Sequence, residues 1–258
     1  MQLNESNYYS GEANQLYWSV SQFKTFYECQ SKAMAELKGL YVRPETESLL
    51  LGTYIDAHFS GEMDLLLNNR GPDIINRRTG EPKAKFVACE DAIRRAEQDS
   101  LFMEYMEGDK QLIFTGELFK EQWKVKPDVL HKDRIVDLKY MRDTKSIFKD
   151  GERKTFIDAW GYDLQGFVYQ AIVEQNTGKH LPFYLAVITK ETPADIELIH
   201  IPDWKLNSAG EIIKHYLPDF AKVKDGEVPP ERCGRCDWCR ETKTIRRVTE
   251  YEELLERI

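Results

Sequence analysis

The chain has 258 residues, 41% hydrophobic and 12% aromatic, enough for a buried core in one large domain or two small ones; a fibrous or disordered protein and a disulfide miniprotein are excluded. Its 36 Lys and Arg against 44 Asp and Glu give a net charge of -8, which excludes nonspecific coating of nucleic acid by the whole surface but not a local basic track. The cysteines number five, three of them crowded into Cys233-Gly-Arg-Cys-Asp-Trp-Cys239, a pattern that suits a reducing compartment and a metal and makes the cytoplasm the expected location. The N-terminal residues lack the basic and apolar regions of a signal peptide, and no apolar run reaches the roughly 18 residues of a membrane span, so neither secretion nor membrane insertion is expected. There is no internal repeat and no low-complexity tract.

Ser19 to Leu40 reads as a helix, with Phe23, Phe26, Tyr27, Met34 and Leu37 at helical spacing, Ser19 or Ser21 as N-cap and Gly39 near the stop. A second helix, Ser48 to Leu67, turns Leu51, Tyr54, Ile55, His58 and Leu65 inward. Asn68 to Pro82 reads as a surface loop before a charge-rich third helix, Lys85 to Met106. The pattern then changes to β-branched and aromatic runs at Leu112–Phe119, Trp123–Leu130 and Arg134–Tyr140, expected as a three-stranded meander. Thr155 to Thr177 is the strongest helix, closed by Gly178, with Phe156, Trp160, Leu164, Phe167 and Ala171 as its core face. Strands at Leu181–Thr189 and Asp195–Ile201 and a helix near Ser208–Ala221 precede Pro229, Pro230 and the cysteine cluster. The expected class is mixed α/β.

Side chains alternate along a strand, so Asp137 and Lys139 share one face of the third run while Val136, Leu138 and Tyr140 fill the other. If the preceding run pairs with it, Asp128 approaches Asp137. Two hard oxygen ligands beside an ammonium suit Mg2+ or Mn2+. Phosphodiester hydrolysis needs those groups: a metal to polarise the phosphate and activate water, and a cation near the developing charge. Asp128, Asp137 and the Leu138 carbonyl would hold the ion, and Lys139 would orient the water or help deprotonate it.

The segments Pro127-Asp128 and Asp137-Leu138-Lys139 resemble the motif of the PD-(D/E)XK nuclease superfamily. Three further features resemble its RecB-like branch. Gly52-x-x-x-Asp56-Ala57-His58 is similar to the helix that supplies a histidine, here His58, to the metal site. Tyr162-x-x-Gln165-x-x-x-Tyr169 is similar to the Gln-x-x-x-Tyr motif and forms a polar stripe on one helix face. The order of these motifs along the chain is that of the branch. Glu117 resembles an additional acidic residue of many relatives, with Glu121 as its competitor.

The layout, including Trp18-Ser19-Val20-Ser21-Gln22-Phe23, looks most like phage and prophage RecE-type exonucleases, similar to exonuclease VIII. The resemblance implies a restriction-endonuclease-like core with a mixed central sheet flanked by helices, spanning residues 1–228. It also implies degradation of one strand of linear duplex DNA from an end during recombination, a single-strand annealing protein as partner and a ring-shaped homo-oligomer. Tyr140, Arg142, Lys145, Lys149, Arg153 and Lys154 form a candidate DNA track of phosphate-neutralising cations and base-stacking rings.

Residues 229–258 are expected as a tail packed on the same domain. Cys233, Cys236 and Cys239, with Cys29 as fourth ligand, resemble the iron-sulfur site of AddB-type and CRISPR-adaptation nucleases, although the gap between Cys236 and Cys239 is narrower than theirs. A 4Fe-4S cluster, a Zn2+ ion and free thiols in a surface tail all remain open. The competing readings are an iron-sulfur nuclease of that kind and a catalytically silent nucleic-acid-binding module with structural zinc.

Overall fold

Ser10, Ser19, Thr46, Asp99 and Thr155 each accept a backbone N–H of the turn that follows, and a helix starts after each of them. The computed structural model describes residues 1–149, 151–245 and 247–255. Its first helices are α1 (Gly11–Leu16), α2 (Val20–Glu28), α3 (Gln30–Leu37), α4 (Glu47–Ser60), α5 (Met63–Ile74), α6 (Ala84–Glu97) and α7 (Ser100–Tyr105). The helix expected over Ser19–Leu40 is therefore two, divided where Cys29 adopts an extended backbone. The helix expected over Ser48–Leu67 is likewise divided, at Gly61, whose left-handed φ of 79° closes α4 at low cost only for glycine. The first part of the expected Asn68–Pro82 loop is helical, with Pro72 inside α5.

The strands are β1 (Asp109–Lys110), β2 (Phe114–Leu118), β3 (Glu121–Val125), β4 (Val129–Leu130), β5 (Ile135–Met141), β6 (Ile147–Lys149), β7 (Glu152–Lys154), β8 (Phe183–Thr189) and β9 (Ile196–Ile201). Between β7 and β8 lie α8 (Phe156–Trp160) and α9 (Tyr162–Thr177); α10 (Asp203–Lys224), α11 (Asp237–Glu241) and α12 (Glu252–Leu255) complete the chain. The central sheet has the order β1-β4-β5-β8-β9. It is mixed: β5 and β8 run parallel, from Ile135 opposite Phe183 to Met141 opposite Thr189, while β4 and β9 flank them antiparallel.

The expected meander is a correction. β2 and β3 form a separate hairpin, and the chain leaves it at Lys126-Pro127-Asp128 before β4 joins the central sheet. Pro127 has no N–H to continue the hairpin's ladder.

Val136, Leu138, Ala186 and Ile188 on one sheet face pack against Tyr54 and Ile55 of α4 and against Phe86, Ile93 and Phe102 of α6 and α7. On the other face Ile135, Phe183, Leu185 and Val187 meet Val173 of α9 and Leu206 of α10. A third cluster, with Trp18, Phe23, Phe26, Trp123, Val168, Ile213 and Phe220, welds α2 to the hairpin, α9 and α10. This is the mixed sheet between helical layers that the sequence leads one to expect.

Within α9 the buried apolar residues are Val168, Ile172 and Val173, while Trp160 in α8 is exposed, so the expected core face is rotated. Gly166 sets how close α9 comes to the sheet: a Cβ there would lie 2.6 Å from Phe183 and 2.7 Å from Leu206. Among the described residues, no helix is long and apolar enough to cross a membrane.

Candidate active site

The period-2 alternation of β5 sends Asp137 and Lys139 toward α9. Asp137 is 2% exposed. Its Oδ1 accepts a hydrogen bond from Gln165 Nε2 at 2.6 Å. Its Oδ2 is buried and forms an ion pair with the Lys139 ammonium.

Asp128 immediately precedes β4, whose antiparallel pairing with β5 brings it alongside Asp137. Its Oδ2 accepts the Leu138 N–H at 2.8 Å and its Oδ1 accepts Gln111 Nε2 at 3.0 Å. Gln111 holds an unusual left-handed backbone, φ 54°, where it does this. Lys139 Nζ also donates to the Leu138 carbonyl, at 3.2 Å.

A third carboxylate completes the group. Burial pushes the Asp56 carboxyl up to about 8, with the Asp128 charge adding to it and Asp137 doing so more weakly against the pull of Lys139. Burial likewise pushes Asp137 up to about 7, opposed by Lys139 and assisted by Asp128. Burial works against the charge on Lys139, but Asp137 and Asp128 outweigh it and hold the ammonium well above the ordinary lysine range.

The stripe on α9 faces the same place. The Lys139 ammonium lies 5.4 Å from the centre of the Tyr162 ring, and the Tyr169 hydroxyl donates to the Lys126 carbonyl at 3.5 Å. From α2, Lys24 Nζ reaches 5.8 Å from the Tyr162 ring and donates to the Trp160 carbonyl at 2.7 Å. Burial, and next the Lys139 charge, bring the Lys24 pKa down to about 8. A cavity of about 300 Å³ opens beside Gln165 and Tyr169 and is lined also by Ser19, Ser21, Lys24 and Lys126.

The structure thus brings Asp128, Asp137, Leu138, Lys139, Gln165 and Tyr169 together. It does not bring His58 to them, which is a correction. His58 Nε2 pairs with Glu97 of α6 at 2.8 Å, because residues two apart on a helix are separated by over half a turn and Asp56 takes the inward position. Glu117 is a second correction. It is exposed on β2, accepts from Gln122 Nε2 at 3.4 Å, and lies where Gln175 meets the strand, about 15 Å along α9 from Gln165. Its competitor Glu121 accepts the Trp18 indole N–H at 3.0 Å and is structural.

Tyr140 is the third correction: it packs into the core below α4 and α6, so its ring is not offered to bases. Of the basic residues, Arg142, Lys145 and Arg153 are exposed, Lys154 is half-buried, and Lys149 donates to the Ala159 carbonyl at 2.8 Å. The hairpin of β6 and β7 carries Phe148, 77% exposed, close in sequence to these cations. Asp56, Gln111 and Lys24 were not singled out from the sequence. The signal available for Asp56 was its place one turn after Gly52, in phase with neither Tyr54 nor His58.

The Asp137 carboxylate, electrostatically coupled to Asp128 and Asp56 and next in the chain to the Leu138 carbonyl, offers the hard oxygen donors that suit Mg2+ or Mn2+. Among the described residues, the group of metal-ligating side chains with all ligand atoms within 4.8 Å of one another is Cys29, Cys233, Cys236 and Cys239. Cys29 lies between α2 and α3, and the other three lie on the tail around α11.

Comparison with curated proteins finds no match. Among solved structures, a protein from Eubacterium rectale described as a "putative exonuclease" is similar with a TM-score of 0.94 and 42% sequence identity, covering 100% of each chain. Residues 19–242 match the family described as a PDDEXK-like domain of unknown function (DUF3799). That match takes in the carboxylates, the lysine, the Gln165 helix and all four clustered cysteines, and the chain belongs to this PDDEXK-like family, with the fold of a PD-(D/E)XK nuclease.

Proposed function

We propose that the protein is a metal-dependent DNA exonuclease that hydrolyses linear duplex DNA from an end. The observation that carries this reading is the convergence of the buried Asp137 carboxylate with Asp128 and Asp56 beside the Lys139 ammonium, three acids close enough to shift one another's ionisation. Asp128, Asp137, Asp56 and the Leu138 carbonyl would hold Mg2+ or Mn2+. Once bound, the ion would polarise the scissile phosphate and lower the pKa of the attacking water.

The protein's own residues do the rest. Gln165 fixes Asp137 by the bond to Oδ1, and Gln111 and the Leu138 amide fix Asp128. Lys139, held as an ammonium, places positive charge beside the developing oxyanion. Lys24 adds a second cation on the α2 side. Arg142, Lys145 and Arg153 would neutralise phosphates leading into the site, while exposed Phe148 and Trp160 would accept unpaired bases.

The exonuclease mode draws on the description of the Eubacterium rectale protein and on the resemblance to RecE-type enzymes. The same resemblance supports a role in phage or prophage recombination, a single-strand annealing protein receiving the product and a ring of identical subunits around the duplex. Residues 1–228 would form the nuclease domain and residues 229–258 a tail clamped to it by metal-bound cysteines.

The test uses end-labelled linear, circular and single-stranded DNA with Mg2+, comparing wild type with Lys139→Ala. Linear duplex should be degraded while circles persist, and the variant should lose about 100-fold or more in rate with Mn2+ affinity retained. Cleavage of circles would overturn the exonuclease mode, and a fully active variant would remove Lys139 from the mechanism.

A further inference from the structure

We infer that Cys29, Cys233, Cys236 and Cys239 hold a single tetrahedral zinc ion and not an iron-sulfur cluster. The spacing of the sulfurs carries this. Cys29 and Cys239 Sγ are 3.6 Å apart, Cys233 and Cys239 Sγ are 4.0 Å apart, and all four lie within 4.8 Å of one another. Four thiolates around one zinc at about 2.3 Å stand about 3.8 Å apart along the edges of the tetrahedron. A 4Fe-4S cluster instead binds each thiolate to a different iron on the outside of a polyatomic core, which requires sulfurs further apart than ligands sharing one ion. The cluster implied by resemblance does not fit this cage; a lone ion does.

The backbone around the sulfurs has the same character. The Cys236 N–H points at Cys233 Sγ at 3.3 Å, and the Cys239 N–H points at Cys236 Sγ at 3.5 Å. Gly234 makes the intervening turn with φ 73°. Amides directed at successive sulfurs stabilise thiolate charge, which a zinc site with four cysteines needs because its ligands must be deprotonated.

The cage is held in place by contacts that do not involve the ion. The Ser31 N–H donates to the Glu231 carbonyl and the Glu231 N–H to Gln30 Oε1, each at 2.9 Å. The Trp238 indole donates to Ser31 Oγ at 3.0 Å, and Arg232 Nη2 donates to the Cys239 carbonyl at 3.0 Å. Such a frame keeps the four sulfurs at the distance one ion sets, and its role is structural.

The experiment is a metal and sulfide count on the full chain purified without oxygen, with its visible spectrum and denaturant unfolding. One zinc per chain, no acid-labile sulfide and a colourless protein are expected; replacement by Co2+ should give the absorption of a tetrahedral cobalt thiolate. Cys236→Ser should lose at least 10-fold in zinc affinity, whereas Cys89→Ala, in the core of α6, should keep its zinc. Iron with acid-labile sulfide, iron alone, a metal-free chain, or full zinc occupancy in Cys236→Ser would each overturn the assignment. These readouts are independent of DNA cleavage, so they stand or fall separately from the nuclease reading.

Discussion

At the scale of single residues, the division of labour on α4 is decisive. Asp56 and His58 are two positions apart, and only one of them can face the carboxylates. Asp56→Ala should weaken Mn2+ binding at least ~10-fold and slow cleavage correspondingly, whereas His58→Ala removes only a half-exposed pair with Glu97, of a kind with about 0–1 kcal/mol to contribute, and should leave cleavage within a few fold of wild type. Calorimetric titration with Mn2+ and single-turnover cleavage would check both; the reverse order of effects would return the metal site to His58.

The titration of this group has a definite direction. An unfolded aspartate ionises near pH 4, while Asp137 and Asp56 are pushed up to about 7 and about 8 in the fold. Across that interval the folded chain keeps protons that the unfolded chain has released. Their contribution to stability is therefore fullest below about pH 4 and is lost as pH rises through 7 to 8. A divalent ion binds the ionised carboxylates and expels those protons. Mn2+ affinity should thus rise between pH 6 and pH 8, with proton release seen as a buffer-dependent heat. An affinity independent of pH would contradict the crowding of the three acids.

At the scale of elements, α9 works because Gly166 allows it to approach the sheet closely enough for Gln165 to meet Asp137. Gly166→Ala would drive a methyl into Phe183 and Leu206, at a cost of about 1–3 kcal/mol, and would lift Gln165 from Oδ1. The expected result is a lowered denaturation midpoint together with a cleavage loss that Gln165→Ala reproduces without the stability change. Unchanged stability in Gly166→Ala would refute the close packing.

Much of this level was legible in the residues. The two faces of β5 follow from strict alternation, and the Gln165-Tyr169 stripe from helical phase. The break at Cys29 was not, since helical spacing runs on through Met34 and Leu37. Nor was the separation of the β2-β3 hairpin from the sheet, because a local pattern names strands but not their partners. The same holds for Asp56: the phase of α4 relative to the sheet is set by tertiary packing, so helical spacing alone does not say whether Asp56 or His58 faces inward.

At the scale of the whole molecule, the cysteines join distant parts of the chain, with Cys29 and Cys239 separated by 210 positions yet in contact. Closing so long a loop removes unfolded-chain entropy worth about 5 kcal/mol. Here it also anchors the end of α2, the helix that carries Lys24 into the active site. A chain ended at residue 228 retains all of α10 and every carboxylate of the site, but loses the contacts of Glu231 and Trp238 with α3 along with three thiolates. It should unfold at a markedly lower denaturant concentration, by a difference near that loop-closure value. Its residual cleavage should fall further than Lys24→Ala alone accounts for, because α2 then loses its fixed end as well. Denaturant unfolding of the two chains, with cleavage measured well below the transition, checks this. Equal stability would mean that the tail merely rests on the domain, and an undiminished rate would mean that Lys24 is positioned from its own end of α2 by Ser19 and the Trp18-Trp123 contact.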